Sequence, residues 1–483
     1  MSDLYRPKLH FTPQTGWMND PNGLVFYGGE YHLFYQHNPY APKWDRMHWG
    51  HAVSKDLYHW EHLPIAIYPD KEGEIYSGSC FFDALNVSGL GTKEKPPLLA
   101  FYTSHHPETK REEQCLAYSL DGRTFVKYAE NSLIPGREYT PARDPQVFKN
   151  PVRDGYVMCI TTEKEIEFYV SDNLLDWRRS GCFSEARNAA AAAEAGASLR
   201  VSEEIYECPC MTFYETEEGL KAVLMISTIT CAGARYAREV RYFVGRFNGY
   251  CFVQEEFANE DLLVDYGPDF YAATVFSNVD KPIMLAWLGN SDYVADVPTD
   301  REGFRGVLTL PRELSLVKTA AGYRLKSRVI EFSDIQNKGI QSASCKKHGE
   351  VFCANFKAVE GRKISILSEA LLEKTQSTGA DTKTAGAEGN TGEITISATE
   401  KEYIIDRSKA GNTSFNPRFE ALGVIRIPRN SALANTQKNG ASETEAPDWK
   451  VLIDGCVMEV IADAGLTCAT LYIFPSSRSH SLV

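Results

Sequence analysis

Up to roughly residue 320 the chain alternates apolar and polar positions in short runs, broken by Gly, Pro, Asn and Asp. LVFYGGEYHLFYQ, starting at Leu24, reads as two strands joined by a turn at Gly28-Gly29. PLLAFYT, GYVMCITT, IEFYVS and RYFVGRF each read as a single strand. Apolar positions at helical spacing are nearly absent, so this part of the chain is predicted to be all-β: a sandwich, a barrel or a propeller. An internal repeat favours the last. Ser54 is followed by Asp56 and then Trp60, Ser119 by Asp121 and Phe125, and Ser171 by Asn173 and Trp177. In each copy an apolar strand closes on Ser, a short polar side chain then serves the turn backbone, and an aromatic ring packs back on the same sheet. Recurrence at about the length of one blade predicts a β-propeller.

Strand patterns resume near the C-terminus in GEITISAT, EYIIDRS and WKVLIDGCVMEVIADAG. We therefore expect residues 1–325 to form one large β-domain and residues 326–483 a second, smaller one. Two segments break the pattern. Thr375–Gly392 has almost no large apolar residue and is expected to be a flexible insert. Glu185–Leu199 is Ala-rich and is expected to be a surface loop or short helix with no chemistry of its own.

Composition narrows the partners. Of 483 residues 43 % are hydrophobic and 24 % charged, with a net charge of −13 and no basic block, which makes nucleic acid and anionic membrane poor partners; neither is expected. MSDLYRPKLHF at the start has no apolar core of the kind an export signal carries, and Ala222–Ala234 is too short to span a bilayer. A cytoplasmic location, with the twelve cysteines reduced, is the expectation. His48 and His51, like His59 and His62, are three apart on apparent strands, which puts each pair on opposite faces. No metal site is expected.

Three of the 64 acidic residues stand in settings that a surface carboxylate rarely has. Asp20 lies in GWMNDPNG: Pro21 excludes it from helical geometry, Asn22-Gly23 is turn grammar, and the amides of Asn19 and Asn22 bracket it. We expect a rigid carboxylate at a strand end. Asp144 lies in Arg143-Asp144-Pro145, where the adjacent guanidinium is expected to keep it ionised. Glu207 lies in IYECPC among apolar neighbours, where poor solvation is expected to raise its pKa and make it an acid near neutral pH. One carboxylate kept ionised and another kept protonated are what glycoside hydrolysis requires. Trp17, Trp44, Trp49 and Tyr76 would offer faces for a sugar ring, and Asn19, Gln36, Ser77 and Arg143 would read its hydroxyls.

These residues carry a resemblance. The chain resembles glycoside hydrolase family 32, the β-fructofuranosidases, with WMNDPNG at Trp17–Gly23, RDP at Arg143–Pro145 and ECP at Glu207–Pro209 in family order. FYQHNP, HWGHAVSKDLYHW, YSGS, DYGPDFYA and LTLPREL extend the likeness over most of the chain. It implies a five-bladed β-propeller with a funnel-shaped site, followed by a β-sandwich, and no metal or organic cofactor. By position Asp20 matches the nucleophile, Glu207 the general acid/base and Asp144 the transition-state stabiliser. Asn19, Gln36, Trp44, Tyr76, Ser77, Arg143 and Trp287 match positions that contact the terminal sugar.

The implied reaction is retaining hydrolysis of terminal β-D-fructofuranosides such as sucrose or short fructo-oligosaccharides. Sucrose-6-phosphate hydrolysis and fructosyl transfer are the enzymatic alternatives, and a carbohydrate-binding propeller without catalysis is the non-enzymatic one. For the second domain the expected role is structural, capping the propeller or pairing subunits into a homo-oligomer. Departures from the pattern bear on substrate. Cys210 stands where an acidic residue is usual. PTDREGF looks like the sucrose-6-phosphate hydrolases, whereas EQCLAYSLDGRTFVKY resembles fructan hydrolases.

Overall fold

Gly28 and Gly29 both take positive φ, 61° and 85°, and turn the strand Gly16–Tyr27 directly into Glu30–Asn38. A two-residue turn of this kind matches the strands' right-handed twist, and two glycines meet its backbone demand without strain. The computed structural model describes residues 3–136, 138–162, 164–185, 204–230, 238–257, 261–331, 346–348, 351–356, 361, 363–368, 392–429 and 449–482. The Ala-rich segment from residue 186 and the insert 375–391 lie outside them.

The first sheet continues through His48–Ser54 and Trp60–Ile67, each strand antiparallel to the one before. Four further sheets follow in chain order, beginning with the strands Glu74–Phe82, Ala142–Lys149, Glu204–Thr216 and Tyr271–Val275. These five first strands pack against one another in a closed ring, the last returning to Gly16–Tyr27. A two-residue strand, Phe304–Arg305, completes closure by pairing in parallel with Gly16 and Trp17. The result is a β-propeller with the leading strand of every sheet against its axis.

The repeated Ser-x-Asp/Asn element occupies one place in the first three sheets, between the third and fourth strands. Ser54, Ser119 and Ser171 each accept the amide three residues on, from Leu57, Gly122 and Leu174, all at 2.9 Å. Those three residues share a left-handed φ of 71°, 69° and 66°. Asp56, Asp121 and Asn173 take the next two amides. The indoles of Trp60 and Trp177 donate to the carbonyls of Leu57 and Leu174. The side chains stabilise a backbone bend that leucine would otherwise avoid.

The chain then builds two more sheets, one from strands at Lys346–His348, Val351–Phe356, Trp449–Asp454, Val457–Ala462 and Thr467–Tyr472, the other from Lys363–Ser368, Glu393–Ala398, Glu402–Lys409, Val424–Pro428 and His480–Leu482. Phe352, Ile366, Ile396, Ile405, Trp449 and Leu471 form the apolar core of this sandwich. Buried ions join it to the propeller. Arg312 binds Asp265 at 2.8 Å and Glu459 at 2.9 Å, Arg407 binds Asp269 at 2.7 Å, and His10 bridges Asp454 and Glu459. Among the described residues no helix is long and apolar enough to cross a membrane.

Candidate active site

Each of the five ring strands loses its pairing register at the same depth: between Met18 and Pro21, Ile75 and Gly78, Arg143 and Gln146, Glu207 and Cys210, and Tyr271 and Thr274. A bulge releases ladder hydrogen bonds and re-aims the side chains beside it. The sequence supplies the cause in three cases, because Pro21, Pro145 and Pro209 have no N–H to give a ladder. Asp144 and Cys208 sit at φ of 62° and 48°, uncommon for residues other than glycine and held by the sheets around them. The bulges turn Asp20, Tyr76, Ser77, Asp144 and Glu207 toward one end of the axis. Asp20 was expected to stand in a turn at a strand end; Gly16–Tyr27 is instead one continuous strand with two bulges. Trp17, Met18, Pro21 and Asn22 all find partners on Glu30–Asn38, so cross-strand pairing overrides the turn grammar of Asn22-Gly23.

Asp20, Asp144, Glu207, Asn19, Gln36, Trp44, Tyr76, Ser77, Arg143 and Trp287 all line a single pocket of about 450 Å³, with Trp17 on its wall. Trp44 stands at its mouth, 53 % exposed, its ring edge-on to Tyr76. Trp49 does not reach the pocket. It is fully buried, with its indole donating to the Tyr76 carbonyl at 3.0 Å, so it supports the wall from behind. Its neighbours also separate: His51 stacks on Phe34 at 4.2 Å, while His48 packs between Tyr40 and Tyr68. Among the described residues no group of three or more His, Cys, Asp or Glu side chains is placed to hold a metal ion.

The carboxylates differ in their partners. Asp20 accepts from Asn19 Nδ2 at 3.1 Å on one oxygen and from Ser77 Oγ at 2.7 Å on the other, and Asn19 is in turn fixed by the Trp17 indole at 2.8 Å. Glu207 accepts from Arg143 at 3.2 Å and from the Tyr271 hydroxyl at 2.7 Å. Burial still raises its pKa, and the Asp20 charge adds to this; Arg143, the Tyr271 hydroxyl and Arg238 act in the opposite direction. Asp144 departs from the expectation. It is pushed up to about 8, because burial and the neighbouring charges of Glu207 and Asp20 outweigh Arg143. The Arg143 guanidinium donates to Glu112 at 3.0 Å and to Glu207, not to its sequence neighbour. Asp144 instead accepts the Cys208 amide at 2.9 Å. Burial thus works toward its neutral form.

Sequence reasoning missed Glu112, Tyr271 and Arg238. Tyr271 lies within DYGPDFYA, where nothing distinguishes it from a core tyrosine until its hydroxyl is seen on Glu207. Glu112 is 3 % exposed and holds Arg143, the Ala142 amide at 2.9 Å and His105 at 3.2 Å. His105 stacks flat under Tyr76, with ring centroids 4.3 Å apart. Burial works against ionising Glu112, but His105 and Arg143 hold its pKa below the ordinary glutamate value, so it is an anion. It thus counters part of the Arg143 charge that faces Glu207. Glu112→Gln keeps the shape and removes that charge. It should leave Arg143 more strongly attractive to an ionised Glu207 and move the alkaline limb of the pH–rate profile to lower pH. A limb that stays in place, or moves upward, would show that Glu112 only supports the wall.

The departures also resolve. Cys210 is fully buried with its sulfur against Gln146 and Thr274, so it does not shape the pocket. Within PTDREGF, Glu302 accepts the amides of Tyr5 and Arg6, and Asp300 pairs with Arg305. EQCLAYSLDGRTFVKY supplies a strand and the second copy of the repeated turn. Neither motif lines the pocket.

A propeller that gathers two carboxylates of unlike surroundings, a third buried one and a wall of indoles and amides at one end of its axis defines a glycosidase. The chain belongs to glycosyl hydrolases family 32: the family's N-terminal domain matches residues 10–328 and its C-terminal domain residues 341–483. It is 33 % identical over 489 residues to the levanase of Bacillus subtilis (strain 168), covering 99 % of this chain and 68 % of that protein. The fold matches the crystal structure of exo-inulinase from Aspergillus awamori, with a TM-score of 0.79 at 26 % identity over 99 % of this chain and 95 % of that one. It matches equally the β-fructofuranosidase from Schwanniomyces occidentalis complexed with fructosyl-erythritol, with a TM-score of 0.79 at 26 % identity, covering 100 % and 94 %. The activity of the chain is accordingly that of a β-fructofuranosidase.

Proposed function

We propose that the protein hydrolyses the terminal β-D-fructofuranosyl unit of sucrose and short fructo-oligosaccharides by a retaining double displacement. Asp20 attacks the anomeric carbon while Glu207 protonates the departing glycosidic oxygen. Water, deprotonated by Glu207, then displaces the fructosyl unit from Asp20. Asp144 grips ring hydroxyls: as sugar hydroxyls replace solvent and donate to it, they favour its ionised form and the positive charge that grows on the ring in the transition state. The observation that carries this reading is the environment of Glu207, raised by burial yet facing the same pocket as Asp20. Trp17, Trp44, Tyr76 and Trp287 give the terminal ring apolar faces, and Asn19, Gln36 and Arg143 give its hydroxyls partners.

An unphosphorylated sugar suits the lining better than a 6-phosphate. Arg143, the guanidinium deepest in the carboxylate cluster, already donates to Glu112 and Glu207. A phosphate on Arg143 would draw it away from the acid that it positions, which leaves Arg238 as the other guanidinium of the lining. The test is fructose release from sucrose and from sucrose 6-phosphate under identical conditions. Sucrose is expected to give the higher kcat/KM. A clear preference for the phosphate would overturn the choice of substrate and leave the reaction standing.

A further inference from the structure

The first sheet presents a second aromatic feature that the reaction at the carboxylates does not use. Its four strands end side by side at the pocket end: Trp17 opposes Asn38, His37 opposes His48, and Trp49 opposes Ile67. Tyr40 follows the second strand, His48 opens the third and Tyr68 follows the fourth, so the three lie in order outward from the axis. Their rings are in contact, Tyr40 to His48 at 5.6 Å and His48 to Tyr68 at 5.7 Å. His48 is buried beneath, while Tyr40 is 72 % and Tyr68 56 % exposed. Trp44 belongs to the same loop as Tyr40 and lines the pocket mouth.

The loop is held. Asn38 accepts the Tyr40 amide at 3.0 Å and donates to the Lys43 carbonyl at 2.9 Å, and Arg305 donates to the Pro42 carbonyl at 2.8 Å. Tyr40 is therefore presented on a fixed backbone, and the ordering entropy that a ligand would otherwise have to supply is largely spent on folding. Tyrosine offers a large rigid face with two rotatable side-chain bonds, at low entropic cost on binding. Single exposed aromatics are unremarkable on a protein surface. Two that share one buried histidine and lead away from a sugar pocket are a different matter.

We propose that Tyr40 and Tyr68, seated on His48, form an outer stacking platform for the sugar units of a fructo-oligosaccharide beyond the pair at the scissile bond. The inference rests on the reading above, in which the terminal fructosyl unit enters the pocket and the rest of the chain leaves past Trp44. The occupant is this neutral sugar chain, because Tyr40 stands on the same loop between strands as Trp44, which lines the pocket mouth.

The experiment compares Tyr40→Ala, Tyr68→Ala and the double variant with the parent on sucrose, a tetrasaccharide and longer inulin-type and levan-type chains. Sucrose is too short to reach the platform, and its kcat/KM should be unchanged. The double variant should lose about tenfold on chains of four or more units, a factor in keeping with two lost stacking faces. Tyr40→Phe and Tyr68→Phe, which keep the faces, should retain the parent's chain-length preference. The same substitutions placed on Asp20→Ala and read by calorimetry report binding without turnover, so a failure of the proposed reaction would not hide the platform. Equal losses for sucrose and long chains, or no loss for either, would overturn the proposal. So would a change in oligomeric state with no change in chain-length preference, which would make the patch a contact between copies.

Discussion

Asp20→Ala should abolish fructose release, lowering kcat/KM by at least about 10⁴-fold with folding intact. The geometry explains why so large a loss is expected of one side chain. Asn19 and Ser77 each hold one oxygen of the carboxylate, and Asn19 is itself locked by the Trp17 indole. The group is thus aimed before substrate arrives, and the attack needs little reorganisation. Alanine removes the proposed nucleophile and leaves only water, which has no comparable placement. Asp20→Asn is the sharper variant, since it keeps the shape and the Ser77 contact but cannot form the ester intermediate. Both should keep the parent's thermal midpoint and bind sucrose measurably. Turnover above about one hundredth of the parent in either would remove Asp20 from the role of nucleophile.

Glu207→Gln should show a loss that depends on the leaving group. With sucrose the departing oxygen must be protonated, and losing a placed acid costs about 10²–10⁴-fold. With a fructosyl donor whose leaving group needs no proton, such as the fluoride, the first step should run near the parent rate. The second step should still be slow, because the base that deprotonates water is also gone. The expected record is a burst of one equivalent of fluoride per enzyme, followed by a slow phase, with fructose retained covalently on Asp20 and detectable by mass. The alkaline limb of the pH–rate profile should also vanish. Burial raises the Glu207 pKa, so the acid form persists to higher pH in the parent, and activity falls as that proton is lost. Losses of equal size for sucrose and fluoride, with no burst, would rule out acid catalysis by this residue.

Much of the scaffold was legible because its causes are local. The two glycines of the first hairpin, the repeated Ser-x-Asp/Asn turns and the prolines after Asp20, Asp144 and Cys208 act within a few residues of themselves, and each left the mark that its chemistry predicts. The turn expected at Asn22-Gly23 shows where local grammar yields. Gly23 does take a positive φ of 54°, but in a strand, where a Cβ would meet the Phe34 ring at 2.7 Å. Cross-strand packing used the glycine for close approach, not for a turn.

The site shows the same division. All ten residues picked out by motif line one pocket, yet the electrostatic reading of Asp144 failed because burial, which sequence adjacency does not reveal, outweighs the neighbouring guanidinium. Arg143 and Asp144 are neighbours in the chain and share the pocket, but the guanidinium hydrogen-bonds Glu112 and Glu207 while Asp144 accepts the Cys208 amide. Trp17 and Trp49 likewise looked equivalent, until the ring of sheets put one on the wall and the other behind it.

The strands, most of the turns and the kinds of group available for chemistry could be read along the chain, since these depend on backbone geometry within a few residues. Which carboxyls burial pushes up, which tryptophan lines the pocket, and that Tyr40 and Tyr68 both pack on His48 come from the assembled sheets. The reason is physical. A proton's affinity and a ring's exposure are set by the groups that surround them in space, and here those groups arrive from different sheets of a closed ring.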